Sequence, residues 1–255
     1  MSVVVPAYNE EHNLRSAVAS VIDAASAVDS VELEIIIVND GSSDGTALVA
    51  SALEEEYPFV RTLHHAKNEG FGASFLSGLE AARHEWITLS PGDNVVSNVT
   101  LRAMLRNAGK ADLVCAYLVN TEHRARLRNI LSSVFSSVYT LTFNVHLRYI
   151  HATPVYNVHR LRLMKLNCRR YSFPSEITIK LLRQGCTFME LPGYMNPTQR
   201  KSSALRLTNL IEVLRSYLSL LFEIFVSDRK DYSHAATRII PDEAPQPLLS
   251  SAEAP

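Results

Sequence analysis

The run Ile35-Ile36-Ile37-Val38 sets four β-branched residues in succession, with no polar residue between them. A strand points successive side chains to opposite faces, so this one needs apolar cover on both. Such strands belong to parallel sheets between two layers of helices. The first half of the chain keeps that rhythm. Val3–Val5 precedes a helical stretch from Glu11 to Ala27, and Glu34–Val38 precedes Asp44–Glu56. Val60–His64 precedes Gly72–Arg83, and Trp86–Leu89 precedes Asn98–Ala108. Asp112–Tyr117 is the fifth strand. Strand and helix in alternation predict βαβ units and a mostly parallel central sheet flanked by helices.

The second half is less regular. Leu127 to Leu141 carries apolar residues at helical spacing, with Ser132, Ser133, Ser136 and Ser137 between them. Pro174 to Arg183 predicts a helix that stops at Gly185, Thr187–Leu191 a short strand, and Leu205 to Val226 a long amphipathic helix. The expected division is one domain over 1–204, the amphipathic helix within 205–230, and a disordered tail over 231–255, where Pro and Ala recur without a packing pattern.

Composition removes several classes. The formal net charge is -1, so no broad basic footprint for nucleic acid is expected. Cys115, Cys168 and Cys186 are odd in number and far apart, which argues against a disulfide framework or a structural zinc site. They point to a reduced, cytoplasmic setting. The first residues lack a basic region and a cleavage site, so they read as a strand rather than a signal peptide. Leu210 to Val226, the most membrane-like stretch, is broken by Glu212, Arg215 and Glu223, short of the about 18 apolar residues of a span.

Ligands of such sheets bind at the carboxyl ends of the strands. The segments there are Pro6-Ala7-Tyr8-Asn9-Glu10-Glu11, Asn39-Asp40-Gly41-Ser42-Ser43-Asp44-Gly45-Thr46, Lys67-Asn68-Glu69-Gly70-Phe71-Gly72 and Ser90-Pro91-Gly92-Asp93-Asn94. Singly, each has an ordinary explanation. Asn9 and Asp44 suit helix caps, and the glycines suit tight turns. Four polar or glycine-rich loops on one edge predict a pocket.

The runs SVVVPAYNEE, IIIVNDGSSDGT and KNEGFGAS resemble the family 2 glycosyltransferases with the GT-A fold, and within them the dolichol-phosphate-mannose-synthase-like branch. The resemblance implies transfer of a sugar from a UDP- or GDP-sugar with inversion. It places Pro6, Ala7, Tyr8 and Glu10 beside the nucleotide, and Asp40 as acceptor of hydrogen bonds from the base. Asn68, Gly70 and Gly92 fall beside the donor as well. A carboxylate at a strand end and a tyrosine ring suit a nucleobase, and a helix N-terminus suits phosphate.

Relatives of this kind carry Asp-X-Asp after the fourth strand, where the carboxylates hold Mg²⁺ or Mn²⁺. Here Asp93 matches the second carboxylate and Pro91 replaces the first. One carboxylate with diphosphate oxygens and water suffices for a cation that keeps several waters. The same substitution opens an alternative, a degenerate domain that binds a nucleotide-sugar or a partner without turnover.

On the acceptor side, the resemblance gives Arg124, Arg126 and Arg200 as phosphate or acceptor contacts. Glu176 falls where relatives carry a catalytic base. A hydroxyl acceptor needs such a base, and a polyprenyl phosphate does not. The helix from Leu205, beside Arg200, Lys201 and Arg206, is expected either to lie peripherally on the inner face of a membrane or to pack against the domain or a homodimer partner. The processive branch, with its Gln-X-X-Arg-Trp motif, is excluded because Trp86 is the only tryptophan.

Overall fold

The computed structural model describes residues 1–29, 31–120, 126–150, 154–167, 170, 172–197 and 207–241. The first four strands are β1 (Ser2–Ala7), β2 (Glu34–Asn39), β3 (Val60–His64) and β4 (Trp86–Leu89). They alternate with helices α1 (Leu14–Ser26), α2 (Thr46–Glu56), α3 (Phe71–Ala81) and α4 (Asn98–Asn107). Then follow β5 (Leu113–Leu118), α5 (Arg126–Phe143), β6 (Val155–Asn157), α6 (Val158–Leu163), α7 (Phe173–Arg183) and β7 (Thr187–Gly193). The described chain closes with α8 (Leu207–Phe222), a π-helical turn at Glu223–Ser227, and β8 (Thr237–Ile239).

The sheet has the order β3-β2-β1-β4-β6-β5-β7-β8. Every pairing is parallel except those of β6, which runs antiparallel between β4 and β5. The mostly parallel sheet flanked by helices is therefore the one expected. The apolar runs divide as their pleat requires. Val3, Val5, Ile35 and Ile37 face a layer with α1, α2 and α4, whereas Val4, Ile36 and Val38 face Phe75, Phe143 and Ile177. No polar residue fits in such a run because neither face meets water.

Several boundaries shift. Helix α1 starts at Leu14 rather than Glu11, because Asn9 takes a left-handed φ of 56° and the chain turns there. Asp44 accepts from the Thr46 N–H at 3.0 Å in a local turn ahead of α2. Gly185, at φ 77°, ends α7 as expected.

The C-terminal segment meets one expectation and departs from another. Leu220 and Ile224 are buried in the same core as Phe75 and Tyr139, so α8 packs as part of the domain. Residues 231–241 are ordered, contrary to the expected tail. Tyr232 is buried, and β8 pairs with β7. The pairing hydrogen bonds and the Tyr232 side chain supply what composition alone did not advertise. The remainder of the tail, 242–255, lies outside the described residues.

Candidate functional site: four interlocked loops at the carboxyl edge

The loops after β1 to β4 are bonded to one another. The Asp40 N–H donates to Ala7 O at 2.9 Å, and the Gly92 N–H donates to Pro6 O at 2.9 Å. The β2 and β4 loops are thereby sewn to the end of β1. A Cβ on Gly92 would fall 3.0 Å from Pro6 O, so glycine permits the approach. Asn9 Oδ1 accepts from the Ser43 N–H at 2.9 Å, and the Asn9 N–H donates to Ser42 Oγ at 3.0 Å. The Glu10 N–H donates to Thr46 Oγ1 at 2.8 Å, and Glu11 Oε2 accepts from the Gly45 N–H at 2.7 Å.

Asp40 is 3% exposed and stands at the centre. Its Oδ1 accepts from the Glu69 N–H at 2.8 Å, and its Oδ2 from the Gly70 N–H at 2.9 Å. These bonds fold the β3 loop against β2 and set the start of α3. Gly41 completes the contact. Its φ is 66°, and a Cβ there would lie 2.6 Å from Asn68 N. Glycine is thus required both by conformation and by space.

Around this frame, Tyr8 and Asn68 are exposed, Glu10 is buried, and Asp93 is half-buried. Asp93 Oδ1 accepts from the Val95 N–H at 3.3 Å. Its loop is braced by Asn196, whose Nδ2 donates to Asn94 O at 2.8 Å. Among the described residues, no group of three His, Cys, Asp or Glu side chains gathers to hold a metal. Asp93 is the one carboxylate in the segment 90–94.

The acceptor-side residues separate. Glu176 is buried in the first turn of α7, where Oε1 accepts from Lys180 Nζ at 2.8 Å and from the Asn167 N–H at 2.9 Å. Arg126 is exposed at the start of α5. Arg124 and Arg200 lie outside the described residues. A cavity of about 170 Å³ opens between the end of β5 and α5, lined by Tyr117, Ser132, Ser133, Ser136, Arg148 and Tyr149. The Arg148 guanidinium stands 4.6 Å over the Tyr117 ring. Ser136 Oγ is buried and makes no hydrogen bond among the described residues. Sequence reasoning missed Arg148, Tyr117 and Tyr149, which sit in no motif. The serines of α5 were the one visible signal.

Cys115 and Cys186 are buried free thiols, as expected, and Cys168 lies outside the described residues. Burial pushes the Cys186 thiol up to about 12, so it stays protonated and inert at neutral pH.

Helix α5 and helix α8 pack side by side. The Tyr139 and Tyr217 rings are 5.1 Å apart, and Thr142 Oγ1 lies 2.7 Å from Tyr217 OH. Their outer faces expose Ile130, Val134, Leu141, Leu214, Leu218 and Phe222. No helix of the described residues is long and apolar enough to cross a membrane.

An uncharacterized glycosyltransferase of Escherichia coli is 33% identical over 113 residues, 44% of this chain and 31% of that protein. A dolichyl-phosphate beta-glucosyltransferase of Trichomonas vaginalis is 24% identical over 235 residues, 86% of this chain and 72% of that protein. The chain spans about a third of the length of several curated relatives, between 30% and 35%. Among solved structures, glucosyl-3-phosphoglycerate synthase from Mycobacterium tuberculosis in complex with UDP superposes with a TM-score of 0.62 at 18% identity, over 87% of this chain and 78% of that one. S. aureus TarS in complex with UDP-GlcNAc gives 0.63 at 15% identity, over 90% and 68%. These neighbours have the GT-A fold, and the sheet of this chain follows it. The model of the glycosyl transferase family 2 matches residues 2–166, and the chain belongs to that family.

Proposed function

We propose that this protein transfers a sugar from a UDP- or GDP-sugar to an anionic acceptor such as a polyprenyl phosphate, with inversion at the anomeric carbon. The observation that carries this reading is the mutual bonding of the four loops, those after β1, β2 and β3 through Asp40 and that after β4 through Gly92 to Pro6. Tyr8 offers its exposed ring to the base, and Asp40 accepts from a ring N–H. Pro6, Ala7, Glu10, Asn68, Gly70 and Gly92 border the donor. The N-terminus of α3 favours the diphosphate through its partial positive charge.

Asp93 fits a divalent cation as its one protein carboxylate, completed by diphosphate oxygens and water. Bound there, Mg²⁺ or Mn²⁺ would neutralise charge on the departing diphosphate. The acceptor oxygen forms the new bond to the anomeric carbon as the bond to the diphosphate breaks.

Two observations favour an anionic acceptor over a hydroxyl. Glu176 is buried, and its Oε1 is already engaged by Lys180 and the Asn167 N–H, which turns it away from an acceptor hydroxyl. Residues 123 to 175 contain nine Lys and Arg and no Asp or Glu. Arg126 belongs to that segment, and positions 126, 129, 133 and 136 share one face of α5 by their spacing. That face leads into the cavity beside Arg148, the acceptor side in this reading. Arg124 and Arg200 take phosphate contacts by resemblance alone. The paired apolar faces of α5 and α8 suit peripheral contact with an anionic membrane, where a lipid acceptor resides.

The test is turnover of UDP-glucose or GDP-mannose with a short-chain polyprenyl phosphate and Mn²⁺, followed as glycolipid product. Product from one donor, lost in Asp93→Ala, supports the reading. Nucleotide binding without product or donor hydrolysis supports the degenerate alternative instead.

A further inference from the structure

A carboxylate offers about four lone-pair sites. At Asp40, Oδ1 accepts from the Glu69 N–H and stands 2.8 Å from His65 Nδ1. Oδ2 accepts from the Gly70 N–H. Because a carboxylate only accepts, the His65 contact requires the proton on Nδ1. The other ring nitrogen, Nε2, lies 2.9 Å from Ser77 Oγ. In the neutral ring with the proton on Nδ1, Nε2 accepts from the Ser77 hydroxyl, which supports that tautomer. The His65 side chain is 11% exposed, which limits competition from water. Among the described residues, Oδ1 has both its partners, and the remaining lone pair is on Oδ2.

We propose that His65 is a positioning residue that makes Asp40 selective for a base presenting one ring N–H, uracil, over guanine. The proposal rests on the reading of Asp40 as the base acceptor. Uracil presents a single N–H between two carbonyls. Guanine presents N1–H and its amino group side by side, a pair that calls for both oxygens of a carboxylate. With Oδ1 saturated, guanine leaves one donor unpaired, and an unpaired buried donor weakens binding. Removing the His65 donor reopens Oδ1 and lets the carboxylate turn.

The experiment is calorimetric titration of the full chain with UDP, N3-methyl-UDP and GDP. His65→Asn keeps an N–H at the position of Nδ1. His65→Gln moves the donor to the position of Nε2, and His65→Ala deletes it. The expected result is that the unmodified protein binds UDP about tenfold or more tighter than the other two nucleotides. His65→Asn keeps both ratios, while His65→Gln and His65→Ala reduce the UDP-to-GDP ratio to about threefold or less and leave the UDP-to-N3-methyl-UDP ratio in place. Ser77→Ala, which frees the tautomer, is expected to lower the ratio and is the fallback if Gln and Ala fail to fold. A contact that merely staples the loop would weaken all three ligands alike and leave every ratio unchanged, and that result overturns the proposal. Tighter binding of GDP than UDP also overturns it. Equal binding of UDP and N3-methyl-UDP removes Asp40 as the base acceptor, and this inference with it. Absence of any nucleotide binding defeats the proposed function itself.

Discussion

Lys180 Nζ lies 2.8 Å from Glu223 Oε1, an ion pair that joins the last turn of α7 to the π-helical turn after α8. Lys180 is fully buried, and its ammonium also meets Glu176 Oε1 at 2.8 Å and Lys165 O at 2.6 Å. Tyr232 OH donates to the same Glu223 oxygen at 3.1 Å.

Lys180→Met leaves two carboxylates buried without their cation. We expect a loss of about 3–5 kcal/mol in urea unfolding, the range for breaking a buried pair from one side. Adding Glu176→Gln and Glu223→Gln to it should recover part of that loss. Glu176→Gln alone separates two roles. Retained turnover with a polyprenyl phosphate marks Glu176 as an anchor, whereas a drop of about 100-fold or more with normal donor binding marks it as a base.

Asp93→Ala should abolish the effect of Mn²⁺ on donor binding. In a thermal-shift assay, UDP with Mn²⁺ should stabilise the unmodified protein more than UDP alone, by mass action. The variant should show the same shift with and without the cation. Its unliganded midpoint should hardly move, because Asp93 is half-buried in a loop braced by Asn196.

Glu34 predicts an acid-sensitive joint. Burial pushes its carboxyl up, but hydrogen bonds from Ser2, the Arg83 N–H and Arg61, with the Arg61 charge, outweigh burial and hold it below its ordinary value. A depressed folded-state value gives stability that is complete above the unfolded pKa and fades as pH falls through the folded one. Denaturant midpoints measured from pH 6 down to about pH 3 should therefore fall less steeply in Glu34→Gln. The variant starts lower at pH 6.

The α5–α8 face makes a prediction about vesicles. Leu218→Glu and Phe222→Glu replace exposed side chains, so the unfolding midpoint should stay within about 0.5 kcal/mol of the parent. Flotation with phosphatidylglycerol vesicles should fall several-fold, and neutral vesicles should bind weakly in every case. Equal flotation of variant and parent would remove this face from membrane contact.

The parts of this architecture legible in the chain were those with a long-range pattern. Strands β1 to β5 stand within a residue or two of their expected bounds, because runs such as Ile35–Val38 admit one environment only. Strands β6 and β8 have three residues each, too few for a period to register. Glu176 and Lys180, four apart on a helix, look like a solvated surface pair. Their burial is imposed by Glu223 and Tyr232, far along the chain. Asp40 was visible as a strand-end carboxylate. Its grip on Glu69 and Gly70 was not, since no spacing rule reports which backbone amides a side chain will meet.

The reversal of β6 has a geometric consequence. Because β6 is inserted between β4 and β5, the loop bearing Asp93 and the strand end bearing Tyr117 rise from strands two spacings apart, about 10 Å. Because β6 runs antiparallel, the segment leading into it, with Arg148 and Tyr149, comes in at that same rim beside Tyr117. For the transfer proposed above, the sheet itself would thus set the width that the sugar has to cross.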